Sequence, residues 1–328
     1  MAVLKRLSLV KAEHRDGEIE LPVAVLSGAR DGPTLAVITG MHGGEYTGPL
    51  AAMRLISECD PEDLAGRLIV IPVLSTRAFM MRNMQLSPVD EQEVHYVWPG
   101  NPEGTYSEAL IDLVYRTVNG ADYLLDLHAG EMAQALEPYD CVPWIEDGPL
   151  WERTLGLASA FDVPFVDRRA LADTPLALPR ALLDLGIPNV WTEIGRNGIA
   201  DPDRSALQFN GIVNVLRQLE MKPGEFTQFH PRVAGPKHWS VYASRSGVWR
   251  PSVAPYDHVC ADQPLGELYD YFGERLEVYR SPADALVEIV ASSPAINVDR
   301  EPHGYAWHRH LVQLVEDPNW DESEPTVG

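Results

Sequence analysis

Short apolar runs without a polar face recur along the first two-thirds of the 328-residue chain, the clearest at 35–39 (LAVIT), 68–74 (LIVIPVL), 123–127 (YLLDL) and 189–194 (NVWTEI). Runs of this length, rich in β-branched residues, read as buried strands of a largely parallel sheet. Stretches of helical period separate them. Residues 47–59 read as one helix. Thr105 and Glu108 have capping-box spacing, and Leu110, Leu113, Val114 and Val118 then form an apolar stripe. Leu207, Ile212, Val215, Leu216 and Leu219 mark a helix over 205–220. Strands alternating with helices predict an α/β fold: a mixed, largely parallel central sheet flanked by helices.

The pattern changes near residue 230, where Pro231 and Pro236 bracket a linker. Beyond it lie strand-like pieces at 240–244, 266–271, 275–281 and 285–292, divided by turn residues and with no helical period. The division expected is a hydrolase domain over 1–230, a small C-terminal β domain over 231–315 and a mobile acidic tail over 316–328.

Charge narrows the partners. The chain carries 48 acidic and 26 basic residues, a net charge of −22. Such a surface repels phosphate backbones and anionic lipid, so neither nucleic acid nor membrane is expected as a partner. An anionic substrate would need local arginines to overcome that field. No apolar run reaches the length of a membrane span. The three cysteines, Cys59, Cys141 and Cys260, have no metal spacing and are too few for a disulfide framework. With no secretion signal in MAVLKRLSLVKAEHR, a cytoplasmic protein is expected. A homodimer is a further expectation.

The sharpest chemical feature is Gly40-Met-His-Gly-Gly-Glu45, which follows one predicted strand and precedes a helix. That is where open α/β sheets build their ligand crevices. The two glycines between His42 and Glu45 let an imidazole and a carboxylate converge, and zinc takes such donors. Asp126-Leu-His128 ends another strand, offering His128 as a third ligand and Asp126 as the carboxylate that orients an imidazole. Three protein ligands leave a position for water, the catalytic arrangement. Glu193, at the end of a further strand, is the expected general base and acid. A rival cluster, His303, His308 and His310, lacks a carboxylate at matching spacing. Trp98, Trp191 and Trp239 are expected to pack. Cys141 has no evident base, and no G-x-S-x-G elbow is present.

HGGE at 42–45, DLH at 126–128 and TEIG at 192–195 resemble, in order and spacing, the succinylglutamate desuccinylase/aspartoacylase family, a branch of the zinc carboxypeptidase-like fold. The resemblance covers most of the chain and extends through Pro88-Val-Asp90 to Trp98-Pro-Gly100. It implies one zinc ion per chain on His42, Glu45 and His128, Glu193 as general acid/base, and cleavage of the amide of a small N-acylated amino acid or amine. It also implies an arginine at the scissile carbonyl, for which Arg82 is the expectation and Arg77 the competitor. One departure bears on specificity. Where the family has an Asn-Arg pair that grips a substrate carboxylate, this chain reads His95-Tyr96, and Glu91 replaces a glycine of the same motif. Substrate binding is therefore expected from His95, Tyr96 and Arg196, with Arg168 and Arg169 as other anion-binding candidates. The competing functions are a metallocarboxypeptidase and a non-catalytic metal-binding protein on the same fold.

Overall fold

The computed structural model describes residues 3–144, 146–170, 177–299 and 306–317. The first part of the chain contains β1 (Leu4–Ala12), β2 (Ile19–Ser27), β3 (Arg30–Thr39), α1 (Thr47–Glu58), β4 (Ala65–Ile71), α2 (Thr76–Met81), α3 (Tyr106–Val118), β5 (Tyr123–His128) and β6 (Gln134–Leu136). It continues with β7 (Tyr139–Trp144), α4 (Pro149–Ala158), β8 (Phe165–Ala170), α5 (Leu178–Asp184), β9 (Asn189–Glu193), α6 (Pro202–Gln218) and β10 (Arg232–Val233). Strands then dominate: β11 (His238–Tyr242), β12 (Gly247–Pro251), β13 (His258–Val259), β14 (Pro264–Tyr269), β15 (Arg275–Arg280), β16 (Ala285–Ala291), β17 (Ala295–Ile296) and β18 (His310–Val315).

Each of the four predicted strand runs falls in a strand of one nine-stranded sheet, ordered β1-β2-β4-β3-β5-β9-β7-β8-β10. Pairing is parallel from β4 through β3 and β5 to β9 and again among β7, β8 and β10, and antiparallel elsewhere. β4 ends at Ile71 rather than at Leu74, because Pro72 has no N–H to continue the ladder. α6 begins earlier than its apolar period indicates. Asp201 accepts from the backbone N–H of Asp203 and Arg204, and Pro202 occupies the first helical position.

Alternation along the strands divides the core. Leu35, Val37, Leu125 and Leu127 pack with Ala51 and Leu55 of α1, Leu157 of α4 and Ile212 and Val215 of α6. Ala36, Ile38 and Leu124 face the other way, toward Leu110 and Val114 of α3 and Leu178 and Leu182 of α5. Asp126, His128, Trp191 and Glu193 share this second face by strand alternation.

The C-terminal strands form a sheet ordered β11-β18-β16-β13, with β6 joined to β16, and a four-stranded sheet β15-β14-β12-β17. Trp249, Leu268, Val287 and Leu314 are among the residues buried in their shared core. A further cluster joins this unit to the main sheet, setting Tyr139, Phe165 and Trp191 against Leu286, Ile289 and Val315. The boundary expected at 230 is interleaved in space: β10 still pairs with β8, and β6 belongs to the C-terminal sheet. Residues 318–328 of the expected tail lie outside the described residues, as does His303. Among the described residues, no helix is long and apolar enough to cross a membrane.

Candidate metal centre and active site

β3 delivers its last residues to the carboxyl edge of the sheet, and the chain then turns sharply at Gly40, where φ is +65°. Gly43 must lack a side chain, since a Cβ there would lie 2.1 Å from the carbonyl oxygen of Ala78. The turn buries both His42 and Glu45. His128, the last residue of β5, is buried beside them. Ligand atoms of His42, Glu45 and His128 all lie within 4.8 Å of one another. Glu45 Oε1 is 2.6 Å from His42 Nδ1, and its Oε2 is 3.1 Å from His128 Nδ1.

The outer nitrogens are equally constrained. His42 Nε2 pairs with Glu93 Oε1 at 3.0 Å, and His128 Nε2 with Asp126 Oδ2 at 3.0 Å. Both imidazoles thus turn Nδ1 inward and hold Nε2 against a carboxylate. Carboxylate–histidine pairs of this kind fix the tautomer of metal-binding histidines. Burial opposes charge on either ring, but Glu45 and Glu93 around His42, and Asp126 and Glu45 around His128, hold both well above the ordinary histidine range. The same negative field favours a cation between them. With two nitrogen donors and one oxygen donor, the cluster fits zinc.

Glu193 is the Cα partner of His128 across β9 and β5. Burial pushes its carboxyl up to about 8. His95 is held in the opposite sense: burial, reinforced by His128, lowers it to about 4 and leaves a neutral imidazole. Its ring centroid lies 5.7 Å from that of His128 and 5.0 Å from that of Tyr96. All of these side chains line one cavity of about 240 Å³, together with Gln85, Gln134, Tyr139, Trp191 and Arg169. Ile289 and Gln313, from the C-terminal strands, close part of it. Gln208 of α6 braces the floor by donating to the carbonyls of His128 and Ile194.

The expected arginines are distributed differently. Arg82 is exposed and caps α2 in a left-handed conformation, φ 53°, outside the cavity lining. Arg77 is also elsewhere, bonded to the carbonyls of Asp16 and Glu18. The side chain that this segment sends into the cavity is Gln85, whose own φ is 53°. Two left-handed residues redirect the chain, so proximity in sequence to the motif does not bring Arg82 to the site. Arg196 is paired with Glu137 outside the cavity, and Arg168 lies over the Trp144 ring. Of the anion-binding candidates, Arg169 is the one in the cavity lining. Trp98 is buried in the core behind α3, Trp239 packs in the C-terminal core, and Trp191 lines the cavity. His308 and His310 belong to no three-donor group among the described residues. Cys141 lines the cavity, but burial and the adjacent Asp167 raise its thiol well above the usual range, which keeps it protonated.

Glu93 and Glu131 escape the motif-based reading. Glu93 lies two residues before His95, and its signal is the need of a metal-binding His42 for a carboxylate at its outer nitrogen. Glu131 accepts from the backbone N–H of Gly44 and Gln85, tying the glycine turn to the cavity wall.

Comparison with known proteins places the chain among hydrolases of linear amide bonds. The family model for the succinylglutamate desuccinylase/aspartoacylase catalytic domain matches residues 31–219, more than half of the chain, and the protein belongs to that family. It is 28% identical over 300 residues to the N-alpha-acetyl-L-2,4-diaminobutyric acid deacetylase of Halomonas elongata, covering 89% of this chain and 87% of that relative. The product-bound ectoine utilization protein EutE (DoeB) from Ruegeria pomeroyi superposes with a TM-score of 0.84 at 23% identity, over 96% of this chain and 95% of that one. A succinylglutamate desuccinylase from Silicibacter sp. gives 0.83 at 22% identity, over 95% of each chain. At these identities the solved structures establish the shared fold.

Proposed function

We propose that the protein is a zinc-dependent deacylase that hydrolyses the amide of a small N-acylated amino acid or amine. One zinc ion is held by His42, Glu45 and His128. The observation that carries this reading is the double orientation of the two histidines, each with Nδ1 toward Glu45 and Nε2 against its own carboxylate. When bound there, zinc supplies Lewis-acid polarisation of the acyl carbonyl and activation of water.

The chain's own groups supply the rest. Glu193, which faces His128 across β9 and β5, takes a proton at its carboxylate and returns it to the departing amine. Neutral His95 offers an N–H donor to the acyl oxygen. Asp126 and Glu93 hold the imidazoles in register. The cavity of about 240 Å³ suits a small molecule better than a peptide chain, which counts against a carboxypeptidase. The C-terminal strands narrow its mouth through Ile289 and Gln313. The free thiols of Cys59, Cys141 and Cys260 fit a reducing, cytoplasmic setting.

Metal analysis of freshly purified protein, followed by hydrolysis of N-acylated amino acids, amines and short peptides, tests the reading. About one zinc per chain and turnover of acyl amino acids or amines are expected. Glu193→Gln should keep the metal and lose turnover about 100-fold or more. Absence of stoichiometric metal after reconstitution, or intact turnover in Glu193→Gln, would refute it.

A further inference from the structure

The registers of the main sheet place Arg169 on the face that carries the metal-binding residues. His128, Glu193 and Tyr139 form one row across β5, β9 and β7. Asp126, Trp191, Cys141 and, on β8, Asp167 form the next. Arg169 lies two residues beyond Asp167, so its side chain leaves the same face one row further on. Among the described residues lining the cavity, it is the sole lysine or arginine.

Its guanidinium is fixed from behind. Nη2 lies 2.5 Å from Asp167 Oδ2 and 3.4 Å from Glu288 Oε1. Those carboxylates are themselves held: Asp167 pairs with His238 Nε2 at 2.6 Å, and Glu288 accepts from Gln313 Nε2 at 2.5 Å. Among the described residues, the buried Arg169 Nε has no acceptor, so the group retains hydrogen-bonding capacity that these residues do not fill. Burial, then Asp167, raise Glu288 to about 7, so near neutral pH it is only partly ionised and Asp167 is the main counter-charge to the guanidinium. A planar fork held in this way is suited to a carboxylate, which a compact ammonium is not.

We infer that Arg169 receives the carboxylate of the substrate, replacing the anchor that the family's Asn-Arg pair provides and that His95-Tyr96 does not. This rests on the deacylase reading, and it narrows the substrate to N-acylated amino acids as against simple N-acyl amines. Asp167 and Glu288 act through Arg169 as positioning residues. Because Glu288, His238 and Gln313 come from the C-terminal strands, that unit helps to build the specificity site.

The test uses zinc-loaded full-length protein and matched substrate pairs. Each N-acetyl amino acid is compared with the N-acetyl amine that lacks its carboxylate, for example N-acetyl-2,4-diaminobutyrate beside N-acetyl-1,3-diaminopropane. Wild type is expected to prefer the acid by about 10- to 100-fold in kcat/KM. Arg169→Lys, which keeps a charge between Asp167 and Glu288, should bring that ratio toward one, mainly through KM. Calorimetric titration with the free amino acids and amines reads the same preference without turnover. An acid preference in binding that Arg169→Lys abolishes, in a protein that hydrolyses neither substrate, supports the anchor and defeats the deacylase reading. Hydrolysis of acid and amine at equal kcat/KM by wild type overturns the anchor and leaves the deacylase intact. An acid preference unchanged in Arg169→Lys also overturns it.

Discussion

Glu93 Oε1 stands 3.0 Å from His42 Nε2, on the side of the ring away from Glu45. Asp126 does the same for His128. A carboxylate in this position fixes which nitrogen carries the proton and raises the donor strength of the other. Glu93→Gln is expected to weaken zinc binding about 10- to 100-fold, measured by competition with a calibrated chelator. An unchanged zinc affinity would remove Glu93 from the metal centre.

His95 and Tyr96, which the family resemblance sets where an Asn-Arg pair is expected, both line the cavity. The double exchange His95→Asn/Tyr96→Arg introduces a second guanidinium close to the first. Dicarboxylic N-acyl amino acids should then gain relative to monocarboxylic ones by about tenfold or more in kcat/KM. A preference identical to wild type would show that this segment no longer governs specificity.

Asp140 of β7 is buried, and among the described residues neither of its carboxylate oxygens has a hydrogen-bond partner. Burial holds its carboxyl well above the usual carboxylate range. A folded-state value above the unfolded one, about 4, means that the fold favours the protonated acid. Its contribution is therefore complete below pH 4 and diminishes as pH rises toward the folded value. Asp140→Asn cannot ionise, so its Tm relative to wild type should improve by a few degrees between pH 5 and pH 8. A Tm difference that is flat across this range would contradict the burial argument.

Thr105 Oγ1 accepts from the N–H of Glu108, and Glu108 Oε2 accepts from the N–H of Thr105 at 2.8 Å. Thr105→Ala should cost about 1 kcal/mol in urea unfolding, because α3 buries Leu110 and Val114 against the sheet. Its effect on turnover should be small.

Strands buried on both faces were legible because their composition is uniformly apolar. β8, with the sequence FVDRRA, was not, since one of its faces carries the charged side chains that fix and form a cavity wall. β1, at the sheet edge, is exposed over its first four residues and alternates only after them, and β7 carries Pro143 and Asp140 within a strand. The His42, Glu45 and His128 group, which could hold a metal ion, was legible as a cluster because His42 and Glu45 are local and His128 closes an apolar run. Glu93 and the pairing of Arg169 with Glu288 arise only when distant segments meet, 51 and 119 residues apart in sequence. Arg82 stays outside the cavity lining, where Gln85 stands instead, and the backbone is left-handed at both residues.

The three residues of β6 hydrogen-bond along β16, well away in sequence from the other strands of that sheet. Anyone exchanging the C-terminal unit between relatives to transfer substrate preference meets a consequence of this stitch. A chimera joined at a single crossover near residue 231 would pair a donor β16 with a recipient β6, and a donor Glu288 with a recipient Arg169. The transferable cassette is discontinuous, combining the C-terminal strands with residues 134–136 and 165–170, so a graft that carries all three segments should fold where a graft by a single crossover does not.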